Sequence, residues 1–239
     1  MRNRHVRKIK KSLDIDSLDI MIPAAGMGKR MKSYGPKSLI SIKYGERILD
    51  RQVSIIDDYF NDYSLVIICG FEADKLISEA PANAIKVENE LYENTNVARS
   101  IGLGLRSIPS SDRLLLINGD LVFTKNIMSS MSYDRSCIFV SDKHMGDGEV
   151  GCIINNKGYL ENLMYDLPMK WCQIAYFQGK ELEELRNIAC QRKNKKLFTF
   201  EIINKIIDEG GMFKCIDDPS VKVIDVDTSK DIKRAKEII

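Results

Sequence analysis

Histidine is nearly absent: His5 and His144 are the only two in 239 residues. The six cysteines, Cys69, Cys137, Cys152, Cys172, Cys190 and Cys215, include no Cys-x-x-Cys pair and no two close neighbours. A zinc site built from imidazoles and thiolates is therefore disfavoured. A disulfide framework is not needed either, because a chain of this length buries on the order of 70% of its unfolded surface. Four of the cysteines sit in apolar runs, where a free thiol behaves as a small hydrophobe. The expectation is a reduced, cytoplasmic protein. The N-terminus lacks the apolar core of a signal peptide. No apolar run reaches the ~18 residues of a membrane span. A strong net charge is missing as well: 36 Lys and Arg face 34 Asp and Glu. A surface built for nucleic acid is thereby excluded, and no nucleic-acid partner is expected.

That balance hides an asymmetry. Residues 1–11 carry Arg2, Arg4, Arg7, Lys8, Lys10 and Lys11 and no acid, leaving 30 basic against 34 acidic residues in the rest. Residues 1–17 read as a basic N-terminal arm and residues 18–239 as one domain. The arm fits a solvated tail, or a segment docking on a partner subunit or an anionic surface.

From Leu18 the pattern is strand, Gly loop, helix, strand, helix. Leu18–Pro23, Leu65–Cys69 and Leu114–Ile117 are continuous apolar runs, as in strands buried on both faces. Helical spacing covers Ile48–Phe60, Ala73–Glu79 and Asn96–Arg106, and a short strand is expected at Ile85–Val87. This is the α/β pattern, in which ligands bind at the carboxyl ends of the strands. Between residues 137 and 177 short strand-like runs separated by turn residues suggest an antiparallel excursion. Helices are expected at Lys180–Arg192 and Phe198–Glu209. A last strand, Val221–Val226, and a helix capped by Thr228 or Ser229 close the chain.

Three constellations carry chemistry. The first is Pro23-Ala24-Ala25-Gly26-Met27-Gly28-Lys29-Arg30, followed by Pro36-Lys37. Small residues after a buried strand let backbone N–H groups approach an anion, and the cations supply charge. It is neither a Rossmann fingerprint nor a P-loop, and Gly26-x-Gly28 alone also fits an ordinary strand–helix turn. The second is Asn118-Gly119-Asp120, where a carboxylate follows a buried strand; it suits a divalent cation or, equally, a turn or helix cap. The third is Asp225-Val226-Asp227-Thr228. Alternation puts the two carboxylates on one face, where they repel unless a cation intervenes. Asp227 or Thr228 as a plain helix cap is the other reading.

Taken together, Ile22–Lys37, Ser38-Leu39-Ile40 and Gly45-Glu46-Arg47-Ile48-Leu49 resemble the opening of the sugar-phosphate nucleotidyltransferase family, which has the MobA-like NTP transferase fold. The resemblance implies a three-layer α/β/α Rossmann-like mixed sheet, related to the GT-A architecture, with a small antiparallel excursion. It implies Arg30 and Lys37 as catalytic phosphate-binding residues. Ala24, Ala25, Gly26, Gly28 and Gly119 would contact the nucleotide, and Asp120 and Asp227, with Asp225 second, would hold Mg²⁺. The reaction implied is attack by a phosphate or phosphonate oxygen on the α-phosphorus of a nucleoside triphosphate, releasing pyrophosphate. Such a reaction needs positioning and charge neutralisation more than a general base, which suits a chain with almost no histidine.

The finer texture is similar to the phosphocholine and aminoalkylphosphonate cytidylyltransferase subgroup. The residues that carry it are Asn94, Thr95 and Asn96 before a small-residue helix, Glu149, Gly158, Leu167-Pro168, and Trp171-Cys172-Gln173-Ile174-Ala175-Tyr176-Phe177. The first three imply a cytosine reader and thus CTP. A small phosphorylated acceptor, phosphocholine-like, would meet Trp171, Tyr165, Tyr176 and Glu149, with Asp142 and Asp147 as further acids; Trp171 and Tyr176 also fit plain core residues of a strand, where aromatics are usually found. The subgroup commonly has a Lys where Tyr165 stands. The alternatives are a sugar-1-phosphate nucleotidyltransferase using UTP, dTTP or GTP, a GT-A-type glycosyltransferase reading Asp225-Val226-Asp227 as a D-x-D, and a non-catalytic nucleotide-binding module. A homo-oligomer is compatible with each.

Overall fold

Leu, Ile and Met fill Leu18–Pro23 with no polar stripe beyond Asp19, and this run forms β1 at the heart of the sheet. A computed structural model describes residues 17–28, 35–142 and 148–239. A hairpin of β2 (Ser41–Lys43) and β3 (Glu46–Arg47) follows, then α1 (Ile48–Tyr59). Next come β4 (Tyr63–Cys69), α2 (Ala73–Glu79), β5 (Ile85–Glu88), α3 (Val97–Ser107) and β6 (Arg113–Ile117). β1 pairs in parallel with both β4 and β6, and β4 with β5.

Beyond β6 the chain forms β7 (Leu121–Phe123), the one-turn α4 (Ile127–Ser130) and β8 (Cys137–Ser141). It continues through β9 (Val150–Ile154), β10 (Leu160–Tyr165) and β11 (Met169–Gln178). α5 (Gly179–Ala189), α6 (Thr199–Asp208), β12 (Lys214–Asp217), β13 (Val223–Asp225) and α7 (Ser229–Glu237) complete it. The antiparallel part is larger than the expected small excursion. β11 zips against β6, so β8 to β12 extend the parallel strands into one nine-stranded sheet, ordered β10-β9-β11-β6-β1-β4-β5, with β8 branching from β11 and β12 pairing with β8. The turn-rich spacing marks the hairpins, but nothing local marks the long-range β11–β6 pairing. β12 was not expected; four residues of mixed burial carry little periodic signal.

Side chains of the central strands alternate between two apolar layers. Ile20, Ile22, Leu65, Ile67, Leu115 and Ile117 face the layer that also holds Leu49, Ile55 and Ile56 of α1 and Leu76 of α2. Met21, Val66, Ile68, Leu114 and Leu116 face Ala98, Ile101 and Leu105 of α3 and the buried sides of α5 and α6. The three-layer α/β/α arrangement follows from burial on both faces. A smaller cluster of Ile40, Ile42, Ile48, Val122, Ile224, Val226 and Ala235 seats α7 against the β2–β3 hairpin and β13.

α3 and α5 cross closely at Gly102. A Cβ there would lie 2.3 Å from the Ala189 carbonyl oxygen, a backbone atom that cannot swing aside. Gly102→Ala is expected to destabilise the fold by about 1–3 kcal/mol despite the better helix propensity of alanine. Urea unfolding checks it; an unchanged or raised midpoint would show that the helices separate without penalty.

Candidate active site

β1, β4 and β6 end together, and the chain beyond each end builds one wall of a cleft. Ala24 N–H donates to the Ile68 carbonyl (2.9 Å) and Phe71 N–H to the Ala25 carbonyl (3.1 Å), so the loop stays strapped to β4 past the end of β1. Gly119 N–H donates to the Pro23 carbonyl (3.1 Å), and a Cβ on Gly119 would sit 2.9 Å from Cβ of Ala24. Only glycine lets the two strand ends approach this closely. The cleft, of about 320 Å³, is lined by Ala24, Ala25, Gly26, Gly28, Lys37, Thr95, Asn96, Gly119 and Asp120 among others. Most of the residues expected at a nucleotide are thus together. Arg30 lies outside the described residues, as do Lys29, Asp147 and residues 1–16 of the basic arm.

Asn94 is not in the cleft wall. It is exposed at the end of a single 3₁₀ turn, Tyr92–Asn94. The residue that organises this end is Asn89, which sequence reasoning missed. It is 1% exposed. Its Nδ2 donates to Thr95 Oγ1 (3.1 Å) and Ser100 Oγ (3.2 Å), and its Oδ1 accepts from Leu91 N–H and Arg99 Nε, each at 3.2 Å. An asparagine just past a short strand has no signal distinguishing it from a turn former. Asn96 donates from Nδ2 to the Lys196 carbonyl (2.5 Å) and from its N–H to the Lys195 carbonyl (2.9 Å). It thereby pins residues 195–198 to the rim and brings Phe198, 46% exposed, into the lining.

At the other end of the cleft three carboxylates converge. Asp120, Asp225 and Asp227 each place an oxygen within 4.8 Å of the others. The convergence comes from β13, which pairs not with the main sheet but with β7, setting Asp225 opposite Leu121. Val226 N–H then donates to the Asp120 carbonyl (3.0 Å). Thr228, not Asp227, caps α7, and Asp231 Oδ2 accepts from the N–H groups of Thr228 (2.8 Å) and Asp227 (3.3 Å). The Asp227 side chain is thereby left to meet Lys37, which lines the cleft.

Lys37 Nζ bridges two of the acids, at 2.9 Å from Asp120 Oδ2 and 2.5 Å from Asp227 Oδ1. Burial opposes its charge, but Asp120 first, then Asp227 and Asp225, outweigh burial and hold the ammonium above its ordinary range. Asp225 is pushed the other way. Burial, followed by repulsion from Asp120 and Asp227, raises its carboxyl to about 7 against the pull of Lys37 and Gln173. Its Oδ1 is buried without a hydrogen-bond partner. A dense acid set, an orphaned carboxylate oxygen and a lysine lodged among the acids fit a hard divalent cation with oxygen ligands.

On the acceptor side burial decides for the core reading of Trp171 and Tyr176 and against the ligand reading. Tyr176 is 0% exposed and packs edge-on to Tyr133, with its hydroxyl donating to Gln178 Oε1 at 3.2 Å. Trp171 is 4% exposed in the layer under α3, α5 and α6. Neither can face a ligand; both are core residues of β11, where alternation buries them. Tyr165 is half exposed at the end of β10, edge-on to Phe200, which stacks on Phe198. Glu149 pairs with Lys170, and both are largely buried. Asp142 is exposed just after β8.

The model of the MobA-like NTP transferase domain matches residues 20–199. The chain belongs to the MobA-like NTP transferase domain family. It is a nucleotidyltransferase, and Asp225 and Asp227 lie beyond the matched range. Among solved structures, one of a CTP:phosphocholine cytidylyltransferase from Streptococcus pneumoniae is similar at a TM-score of 0.78 and 16% identity, covering 92% of this chain and 98% of that one. The inositol-1-phosphate CTP transferase from T. maritima gives 0.75 and 16%, over 92% and 95%. A UDP-glucose pyrophosphorylase complexed with UDP-glucose gives 0.69 and 10%, over 92% and 97%. These likenesses establish a shared MobA-like NTP transferase fold. No curated protein matches this chain in sequence. Among the described residues of this transferase no helix is long and apolar enough to cross a membrane.

Proposed function

We propose that the chain is a Mg²⁺-dependent cytidylyltransferase that joins CTP to a small phosphate- or phosphonate-bearing acceptor, phosphocholine-like, and releases pyrophosphate. The observation that carries this reading is Lys37 held between Asp120 and Asp227 at one end of a cleft whose wall is the Gly26–Gly28 loop. Asp120, Asp225 and Asp227 would hold the ion. Bound there, Mg²⁺ supplies charge neutralisation to the phosphates.

The chain's own residues do the rest. Backbone N–H groups of the loop after β1 bind the phosphates, with Lys37 and Arg30 as the cations. The acceptor's anionic oxygen attacks the α-phosphorus. A new P–O bond forms as the bond to the β-phosphate bridging oxygen breaks, and pyrophosphate leaves with that electron pair. No proton need move, so no general base is required. Lys37, fixed by Asp120 and Asp227, would face the charge that develops on the leaving group. At the far end, Asn96 Oδ1 has no partner among the described residues and can accept from the exocyclic amine of cytosine, beside Thr95. Glu149 and Tyr165 stay as acceptor-side residues, joined by Lys170, the ion-pair partner of Glu149.

Pyrophosphate release with each of CTP, UTP, dTTP and GTP, offered with phosphocholine or glucose 1-phosphate, tests this reading. Turnover is expected with CTP and the phosphocholine-like acceptor. Release confined to another triphosphate with the sugar phosphate would overturn it.

A further inference from the structure

Five non-glycine residues among those described have a left-handed backbone: Ser17, Tyr44, Glu72, Asp166 and Gln173. Four lie in turns or just outside an element. Gln173, with φ +58°, lies inside the ten-residue strand β11. The kink falls where β11 changes partners. Residues Ile174–Gln178 pair with β6, Met169 and Lys170 pair with β9, and the register against β8 shifts between Trp171 and Ala175. In an unbroken strand Gln173 would share the face of Trp171 and Ala175, which is the apolar layer under α3, α5 and α6. The left-handed turn takes it out of that layer. A glycine would adopt this backbone freely, whereas a side-chain-bearing residue is strained there.

What the side chain does accounts for the strain. Gln52 of α1, 1% exposed, donates from Nε2 to the Asn118 and Leu121 carbonyls, each at 2.9 Å, bracketing Gly119-Asp120. Asn118 Nδ2 donates to Gln173 Oε1 (2.6 Å). Gln173 Nε2 donates to Asp225 Oδ2 (2.8 Å). The amide of Gln173 therefore ties the turn that carries Asp120 to the strand end that carries Asp225. It occupies one oxygen of Asp225, and the other, Oδ1, is the buried atom with no partner.

We propose that Gln173 is a positioning residue for the divalent-cation site: its kink aims an amide that locks Asn118 to Asp225 and leaves Asp225 Oδ1 to the ion. This rests on the reading of the three acids as a metal site. Outer-shell groups that orient a ligand typically change metal affinity 10–100-fold.

The test uses the full chain and two variants. Gln173→Gly keeps the backbone and removes the amide. Gln173→Asn tolerates the left-handed region but is one methylene too short to reach both partners. Mn²⁺ is titrated calorimetrically, and unfolding temperature is measured without ion. Mn²⁺ affinity is expected to fall about 10-fold or more in both variants. The ion-free unfolding temperature of Gln173→Gly should stay near that of the wild type, because relief of the left-handed strain offsets the two lost hydrogen bonds and the freer unfolded chain. The metal concentration for half-maximal turnover should rise in parallel. Variants that bind Mn²⁺ like the wild type, or a Gly variant that merely unfolds earlier, would overturn the positioning role while leaving the metal reading intact. A wild type that binds no Mn²⁺ would overturn the metal reading, and this role with it.

Discussion

Lys37→Ala is expected to lower turnover by about two to three orders of magnitude, the range seen when one preorganised group that stabilises transition-state charge is removed. The lysine sits 2.9 Å from Asp120 and 2.5 Å from Asp227, so its ammonium is already in place before substrate arrives. Its loss also leaves Asp120, Asp225 and Asp227 facing one another without a cation. The side chains of Asp120 and Asp227 are partly solvated, which limits the effect, and a loss of roughly 1–3 kcal/mol of ion-free stability is expected. Added Mg²⁺ should restore most of that stability but not turnover, because an ion can replace the charge among the acids and not the contact to the departing phosphate. Thermal unfolding with and without Mg²⁺, beside steady-state rates, separates the two effects. A variant with near-normal turnover would remove Lys37 from the mechanism.

Asp225→Asn should have opposite effects on activity and stability. A neutral amide cannot supply the anionic oxygen that the ion needs, so turnover is expected to fall by about 100-fold or more. The ion-free protein should nevertheless become more stable near neutral pH. Burial, then Asp120 and Asp227, push the Asp225 carboxyl up to about 7 in the folded state, whereas an unfolded aspartate titrates near ~3.9. Across roughly pH 4 to 7 the folded wild type holds a proton that the unfolded chain has released, so its stability falls as pH rises through that window. The asparagine variant carries no such proton. Its advantage over the wild type should therefore grow from about pH 4 to 7 and level off above that. Urea unfolding of both proteins at pH 5 and pH 8 checks the sign; a variant less stable than wild type at pH 8 would show that Asp225 is not strained by its charge. The same linkage makes divalent-ion binding to the wild type tighten between pH 6 and 8, since the ion displaces the Asp225 proton.

Local pattern carried much of the fold. The helix over Ala73–Glu79 and the strand Leu18–Pro23 have the bounds read from the sequence pattern, and α1, α3, β4 and β6 agree within two residues at each end. Those elements bury one stripe or two whole faces, and burial repeats with the period of the element. Short elements escaped. β7, β12 and the β2–β3 hairpin have two to four residues each, too few for a period to show. At the site, the small residues after β1, the Gly119-Asp120 pair and the acids near the C-terminus were legible because each is an unusual choice at the end of an apolar run. Asn89, Gln52 and Gln173 were not. Each is an amide whose role lies in the backbone and side chains it bridges, and those neighbours are distant in sequence.

For Trp171 and Tyr176 the sequence left two readings, a ligand contact or the core, and burial decides for the core. Their chemistry suits a cationic ligand, yet Trp171 and Tyr176 are both packed in the core of β11. Residue type states what a side chain can do, and only its direction states whether it does it.

By itself, then, the sequence determined the α/β class and the strand ends that carry the glycines and acids. Those are properties of short stretches, set by burial periodicity and by where a small or charged residue interrupts an apolar run. The tertiary structure alone decided that β13 pairs with β7 rather than with the main sheet, and so that Asp227 meets a lysine 190 residues earlier. Three like charges gather only where packing of β13, α7 and the β2–β3 hairpin holds them together against their repulsion, and no local preference encodes that arrangement.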